Sequence, residues 1–400
     1  MWRLKTTLIN THHLEGCRTG LAVISSLRTW VPYGGIRNGE GAMANSRHQG
    51  LHNARRNKAD EFYTQYQDIE KELNAYLEYD ANVFRGKTVL LPCDDPDWSN
   101  FTKYFAQNFE RLGLKKLIST SYAQDRKPYK QPVQLSLFEL NSPQYDESKT
   151  NSHGKIFTLT RHTKKVDIND LKWKYMDGDG DFRSDEVRAL RDEADFIITN
   201  PMFSLFREFL AWILEANKKF LLIASINCIT YKEVFPLLKS NTAWLGNGMG
   251  RWISGFIVPP EYKLFGTEAR INEKGEHIVA TNNCLWLTNI DHGRRHQPLE
   301  LMTMADNLRF SSHDVIREFG YRQYDNYDAI EVPYTDAIPS DYDGVMGVPV
   351  SFMDKYCPDQ FEILGCSYSH GDPGCHHPNT AWGVKIDDGD VYKRIFIKKK

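Results

Sequence analysis

The sequence predicts an α/β protein: a mostly parallel sheet with crossover helices, followed by a region richer in short strands. Two observations predict it. Up to about residue 240, short apolar runs alternate with segments whose apolar residues recur at helical spacing, the alternation of a parallel sheet joined by helical crossovers. Beyond residue 240, Gly and Pro become frequent and short aromatic-rich runs replace the long periodic ones, which favours turns and strands.

Each element follows in order. Residues 1–42 are rich in Gly, Thr and Arg without a sustained period, so they are expected to be a disordered or non-native extension, with Met43 as the natural start. Tyr66, Ile69, Leu73, Tyr76 and Leu77 then recur at helical spacing. Thr88, Val89, Leu90 and Leu91 form an apolar, β-branched run that stops at Pro92, as a buried strand does. Ser99 offers a cap for a helix with Phe101, Tyr104, Phe105 and Phe109 on one face. Residues 116–121 read as the next strand. Residues 124–153 are polar and broken by Pro128, Pro132 and Pro143, and are expected to be a surface insertion. The alternation resumes with a strand over 195–199, a helix over 205–216 and a strand over 220–224. The expected organisation is an extension (1–42), an α/β domain (43–240) and a β-rich C-terminal region (241–400).

Composition narrows the function. The 50 basic and 52 acidic residues leave a formal charge of -2, so any grip on nucleic acid must come from a local basic face. The seven cysteines are scattered and odd in number, unlike a secreted disulfide framework, and a reducing cytoplasm is expected. No run approaches the roughly 18 apolar residues of a membrane span, so no membrane partner is expected.

Chemistry concentrates in Asn200-Pro201-Met202-Phe203, placed where an apolar strand ends and a helix begins, which is where open α/β sheets build their sites. The Asn side-chain carbonyl and the Pro backbone carbonyl can accept both hydrogens of an exocyclic amine, steering its lone pair. An aromatic two positions on can stack against an extruded base. Asn-Pro is also an ordinary turn former, so the motif alone is compatible with a plain turn.

Context decides between these readings. Residues 199–209 resemble the catalytic segment of the EcoRI-type adenine-specific DNA methyltransferases, whose usual form has Pro where Met202 stands. Three further segments are similar to that family in the same order. The stretch from Asp60 to Thr64 resembles the segment that holds the methionine end of S-adenosylmethionine, pointing to Phe62, Tyr63 and Thr64. Residues 91–101 resemble the cofactor loop after the first strand, pointing to Cys93, Asp94, Asp95, Asn100 and Phe101, although the glycines usual in methyltransferases are missing there. Asp181 resembles the acceptor for the cofactor's adenine amine, with Phe182 packing on its ring. A calcium loop is excluded for 177–181, because Phe182 stands where a Gly is needed and Arg188 where the bidentate Glu belongs. Residues 229–233, 286–290 and 347–356 also resemble the family, so the likeness spans about residues 58–365.

The resemblance implies a doubly wound, Rossmann-like class I methyltransferase domain followed by a target-recognition region. It also implies S-adenosylmethionine as cofactor, double-stranded DNA as substrate, base flipping, and a cognate restriction endonuclease acting on the same site as a candidate partner. Arg207, Arg294, Arg295 and His296 are the candidate DNA contacts, since Arg suits both phosphates and base edges; a solvated loop is the alternative for the last three. Cys357, Cys366, His370, Cys375, His376 and His377 lack the paired spacing of a zinc knuckle, and no metal is expected. Two rival functions remain open: methylation of another planar amine in RNA or protein, and a catalytically weakened DNA-binding relative.

Overall fold

The computed structural model describes residues 63–123, 144–161, 172–249, 252–258, 269–280, 283–367 and 383–400. These all belong to one compact unit, Ala42–Lys400. The expected extension 1–42, Phe62 and residues 124–143 of the polar insertion lie outside the described residues.

A two-residue strand β1 (Tyr63–Thr64) leads into helix α1 (Tyr66–Tyr79), whose buried face includes Ile69, Leu73 and Tyr76, the positions its spacing predicted. Strand β2 (Thr88–Leu91) is buried throughout. Ser99 caps α2 (Asn100–Gln107), its hydroxyl accepting from the amides of Phe101 and Thr102. Phe109 falls in a separate short helix, α3 (Phe109–Leu112), closed by Gly113 in the left-handed conformation. Then come β3 (Lys116–Thr120), β4 (Lys155–Thr160), β5 (Lys174–Tyr175), α4 (Asp185–Glu193), β6 (Phe196–Thr199), α5 (Phe206–Glu215), β7 (Lys219–Ser225), α6 (Phe235–Lys239) and β8 (Trp244–Met249). Strands β9 (Phe256–Val258), β10 (Ala269–Ile271) and β11 (His277–Val279) pair with β1 in the order β1-β9-β11-β10.

The main sheet, with β12 (Cys284–Thr288), has the order β5-β4-β3-β2-β6-β7-β12-β8. Its centre, β3-β2-β6-β7, is parallel. Its flanks are antiparallel, β4 and β5 on one side and β12 and β8 on the other. The expectation of a mostly parallel sheet is therefore corrected: the sheet is mixed. The reason lies at the edges, where strands need no helical crossover and can add in the antiparallel sense. The sheet also runs past the expected boundary at residue 240, since β8 and β12 both belong to it.

Alternate residues of the central strands face two separate cores, which is why these strands read as continuous apolar runs rather than alternating ones. Val89, Leu91, Leu117, Ile198, Ile223 and Trp286 join Ile69, Leu73, Phe101 and Phe105 of α1 and α2. Leu90, Ile118, Ile197, Leu222 and Leu287 join Phe209, Leu210 and Ile213 of α5.

The C-terminal region contains two short helices, α7 (Met304–Phe310) and α8 (Asp314–Phe319), and strands β13 (Ile330–Glu331), β14 (Met346–Pro349), β15 (Phe361–Cys366), β16 (Lys385–Ile386), β17 (Gly389–Asp390) and β18 (Arg394–Lys399). Four of these form a sheet in the order β13-β14-β18-β15. Its Val348, Phe361 and Ile395 pack into the same core as Phe209, so this region covers the α5 face of the main sheet.

Candidate active site

The four parallel strands end at one edge of the sheet, at Leu91, Thr120, Thr199 and Ser225. The loop after β2 is held there by side chains. Asp94 is buried and accepts from the Ser99 hydroxyl through Oδ1 (2.6 Å) and from the Thr199 hydroxyl through Oδ2 (2.7 Å). Its amide donates to the Thr120 carbonyl (2.9 Å) and its carbonyl accepts from the Ser119 hydroxyl (2.5 Å). Asp94 thus ties together the ends of β2, β3 and β6. Burial pushes its carboxyl up to about 7, against the two hydroxyls, which favour the ionised form; neighbouring Asp95 raises it further. Lys155, itself buried, pairs with Asp97 (2.7 Å) and Asp95 (3.7 Å) across the same loop.

Asn200 follows Thr199 directly and is half-buried, with Pro201 buried behind it. The Leu205 amide donates to the Met202 carbonyl (3.0 Å), turning the chain into α5. Phe203 packs against the core that holds Phe101 and Trp286, whereas Phe206 turns to the opposite core. The tetrapeptide therefore sits across the end of the sheet, between its two faces.

The residues expected at the cofactor gather at this edge. Asn100 donates to the Thr64 carbonyl (2.8 Å), joining β1 to the start of α2. The Thr64 hydroxyl is buried and has no partner among the described residues, so the site holds a polar atom suited to a ligand. Phe101 is fully enclosed, edge-on to Trp286, and belongs to the core. Cys93 is partly buried and lies within electrostatic reach of Asp94 and Asp181. Asp181 takes a bidentate contact from Arg183 (2.9 Å and 2.7 Å), which holds its carboxyl below the usual range. Phe182 is buried edge-on between Phe209 and Trp212. The loop carrying Asp181 passes so close to β3 that a side chain on Gly180, which has φ +77°, would collide with the Ser121 carbonyl.

Sequence reasoning missed Thr199, Ser119 and Lys155, and read Ser99 only as a helix cap. Hydroxyl residues closing apolar strands beside an acidic loop are the signal that could have found them.

A family model described as adenine-specific methyltransferase EcoRI matches residues 50–400. The chain belongs to this family. It is similar to the type II methyltransferase M.EcoRI of Escherichia coli, at 47% identity over 314 residues, which is 78% of this chain and 88% of that protein. It is also similar to M.MgeORF184P of Mycoplasma genitalium (31% over 360 residues; 87% and 98%) and M.MpnI of Mycoplasma pneumoniae (30% over 315 residues; 78% and 84%). No solved structure matches.

The candidate DNA contacts divide between the two ends of the sheet. Strand β12 runs antiparallel to β7, from Cys284 opposite Ser225 to Thr288 opposite Leu221, so the chain leaves β12 at the opposite edge, where Asn289 bonds Phe220 and Lys218. Arg294, Arg295 and His296 follow there, and each is engaged. Arg294 pairs with Asp354 (2.7 Å) and bonds the Asn247 carbonyl. Arg295 stacks on Trp244 (3.8 Å) and pairs with Asp291, while His296 stacks on Tyr79 and bonds Asp291. These three therefore lie at the opposite end of the sheet from Asn200, where strand direction carries them. Arg207 lies at the end of the sheet that carries Asn200, one residue into α5, over the Tyr231 ring (4.4 Å) and near Glu233 (3.6 Å). Of the cysteines and histidines weighed as a zinc site, Cys357 and Cys366 alone are among the described residues.

Proposed function

We propose that this chain transfers a methyl group from S-adenosylmethionine to the N6 amine of adenine within a specific DNA sequence, flipping the base out of the duplex to do so. Its membership of an adenine-specific methyltransferase family supports the chemistry. The observation that carries the site is Asn200-Pro201-Met202-Phe203 at the end of β6, on the same edge as the Asp94 loop and joined to it through Thr199. The parallel centre with helices on both faces supports a doubly wound, Rossmann-like catalytic part, extended by β8 and β12. The region beyond supports target recognition, and a cognate restriction endonuclease is the partner that fits a type II system. Among the described residues no helix is long and apolar enough to cross a membrane.

The residues present fit the cofactor: the buried Thr64 hydroxyl lacks a partner among the described residues, and Asp181 is an ionised acceptor suited to an amine. Thr64, Tyr63 and the Cys93–Asp95 loop would hold it, with Asp181 at the adenine end. S-adenosylmethionine supplies a methyl group already activated on its sulfonium. The protein's own work is to orient the amine. The Asn200 side-chain carbonyl and the Pro201 carbonyl accept its two N–H groups, which aims the lone pair outward. Phe203 offers the flipped base a stacking face, and the proton released passes to water.

Expression in a methylation-free host, followed by mapping of modified adenines, tests the reading. N6-methyladenine at one recurring sequence is expected; unmodified DNA, or methyl groups on another base, would overturn it.

A further inference from the structure

We infer that Asp94 and Thr199 form a positioning pair that sets the register of Asn200, so that the cofactor loop and the amine-orienting loop act as one unit. This rests on the reading of Asn200 above. Thr199 is the last residue of β6, fully buried, and its hydroxyl donates to Asp94 Oδ2 (2.7 Å). The next residue is Asn200. The other carboxylate oxygen accepts from Ser99 (2.6 Å), the cap of α2, and Asn100 beside it bonds Thr64. One carboxylate therefore links β1, α2, the loop after β2 and the catalytic turn.

A β strand requires no buried carboxylate at its end, and the cost of burying one is met here, among the described residues, by two hydroxyl donors. Both donations need the ionised form. Once Asp94 takes up a proton, one of its oxygens becomes a donor and the hydroxyl facing it must give up its own donation and accept instead, which replaces a charge-assisted bond by a weaker neutral one and loosens the link. The charged groups around it are Asp95 on its own loop and, beyond Cys93, Asp181; Asp95 is paired with Lys155 and Asp181 with Arg183. Burial places the Asp94 transition near about 7, within the range in which the enzyme can be assayed.

The test is single-turnover methylation of a duplex carrying the mapped recognition sequence, across about pH 5.5 to 9 (an assay range of about three and a half units that brackets the shifted carboxyl), for Thr199→Val, Thr199→Ser and Asp94→Asn. Thr199→Val keeps the shape and removes the donor. Its turnover should fall about tenfold to a hundredfold, the size of a small misplacement at a reacting centre, while cofactor and DNA affinities stay near the parental values. Losing a donor to the carboxylate raises the Asp94 transition, so the acid limb of turnover should move to higher pH. Thr199→Ser should restore both rate and limb, and Asp94→Asn should abolish the limb. Should Thr199→Val fail to fold, Asp94→Asn decides by the same limb. Parental turnover in Thr199→Val, or an acid limb unchanged in Asp94→Asn, overturns the proposal. Asn200→Ala in the same assay separates the two readings: if it is inactive while Thr199→Val is parental, only the positioning pair fails, whereas an active Asn200→Ala removes the site itself.

Discussion

The two edges of the main sheet carry polar side chains in different states. At the edge where the parallel strands end, the loop after β2, Asn200 and Asp181 converge around a buried carboxylate and a buried Thr64 hydroxyl that has no partner among the described residues. At the other edge, Arg294, Arg295 and His296 are absorbed by Asp354, Trp244, Asp291 and Tyr79. Helix α1 joins the two edges, with Thr64 before it and Tyr79 at its end; its 14 residues span about 20 Å at the helical rise. Strand direction thus decides at which end of the sheet a cationic cluster in the sequence comes to lie. The proposed chemistry lies where the parallel strands end, and the cations at the other edge are held in ion pairs and ring contacts.

The largest effect expected from this contrast is at Asn200. Asn200→Ala should lower turnover by about a hundredfold or more, the usual loss on removing one positioned polar group, with thermal melting and cofactor affinity nearly unchanged. Asp181→Ala should come next: losing an acceptor for the cofactor's amine costs about 1–3 kcal/mol, read by calorimetry as weaker S-adenosylmethionine binding with the melting temperature preserved. Phe203→Ala should depopulate the flipped state by about the same 1–3 kcal/mol of base stacking, seen as reduced fluorescence of a 2-aminopurine at the target position. Phe203→Trp should recover most of that signal.

What was legible in the sequence depended on whether a signal was local. The buried central strands and α1, α2 and α5 show in runs such as Thr88 to Leu91 and in the spacing of Ile69, Leu73 and Tyr76, because burial on one or both faces dictates those residues directly. The tetrapeptide was legible through its position between a strand and a helix. The antiparallel flanks were not, since β4 follows a long polar stretch and β12 lies far along the chain; their pairing is a long-range choice. Asp94 was read as a cofactor contact, yet its partners Ser99 and Thr199 stand 5 and 105 residues away, and only the folded sheet unites them.

A smaller effect separates the two edges by their cations. Arg294→Ala leaves Asp354 partly buried and without its ion pair, so it should lower stability by about 1–3 kcal/mol while DNA affinity and its salt dependence stay parental. Arg207→Ala should do the reverse, leaving melting unchanged and reducing the slope of log affinity against log salt by about 1, as for one lost phosphate contact. A fall in DNA affinity with Arg294→Ala at unchanged stability would place that edge in the DNA interface.

The smallest effect is expected at Met202, where the family's usual residue is Pro. The turn between β6 and α5 uses the Met202 carbonyl, which accepts from the Leu205 amide, and a proline keeps that acceptor. Pro fixes φ and narrows the unfolded ensemble, so Met202→Pro should stabilise the fold by about 0.4–1 kcal/mol. Because Asn200 is already held through Thr199 and Asp94 on its other side, the added stiffness should leave single-turnover rates parental. A clear gain in rate would mean that the Asp94 link does not suffice to fix Asn200 and that loop rigidity limits turnover. A clear loss would mean that Met202 must move when the base enters, placing flexibility rather than register at the centre of this edge.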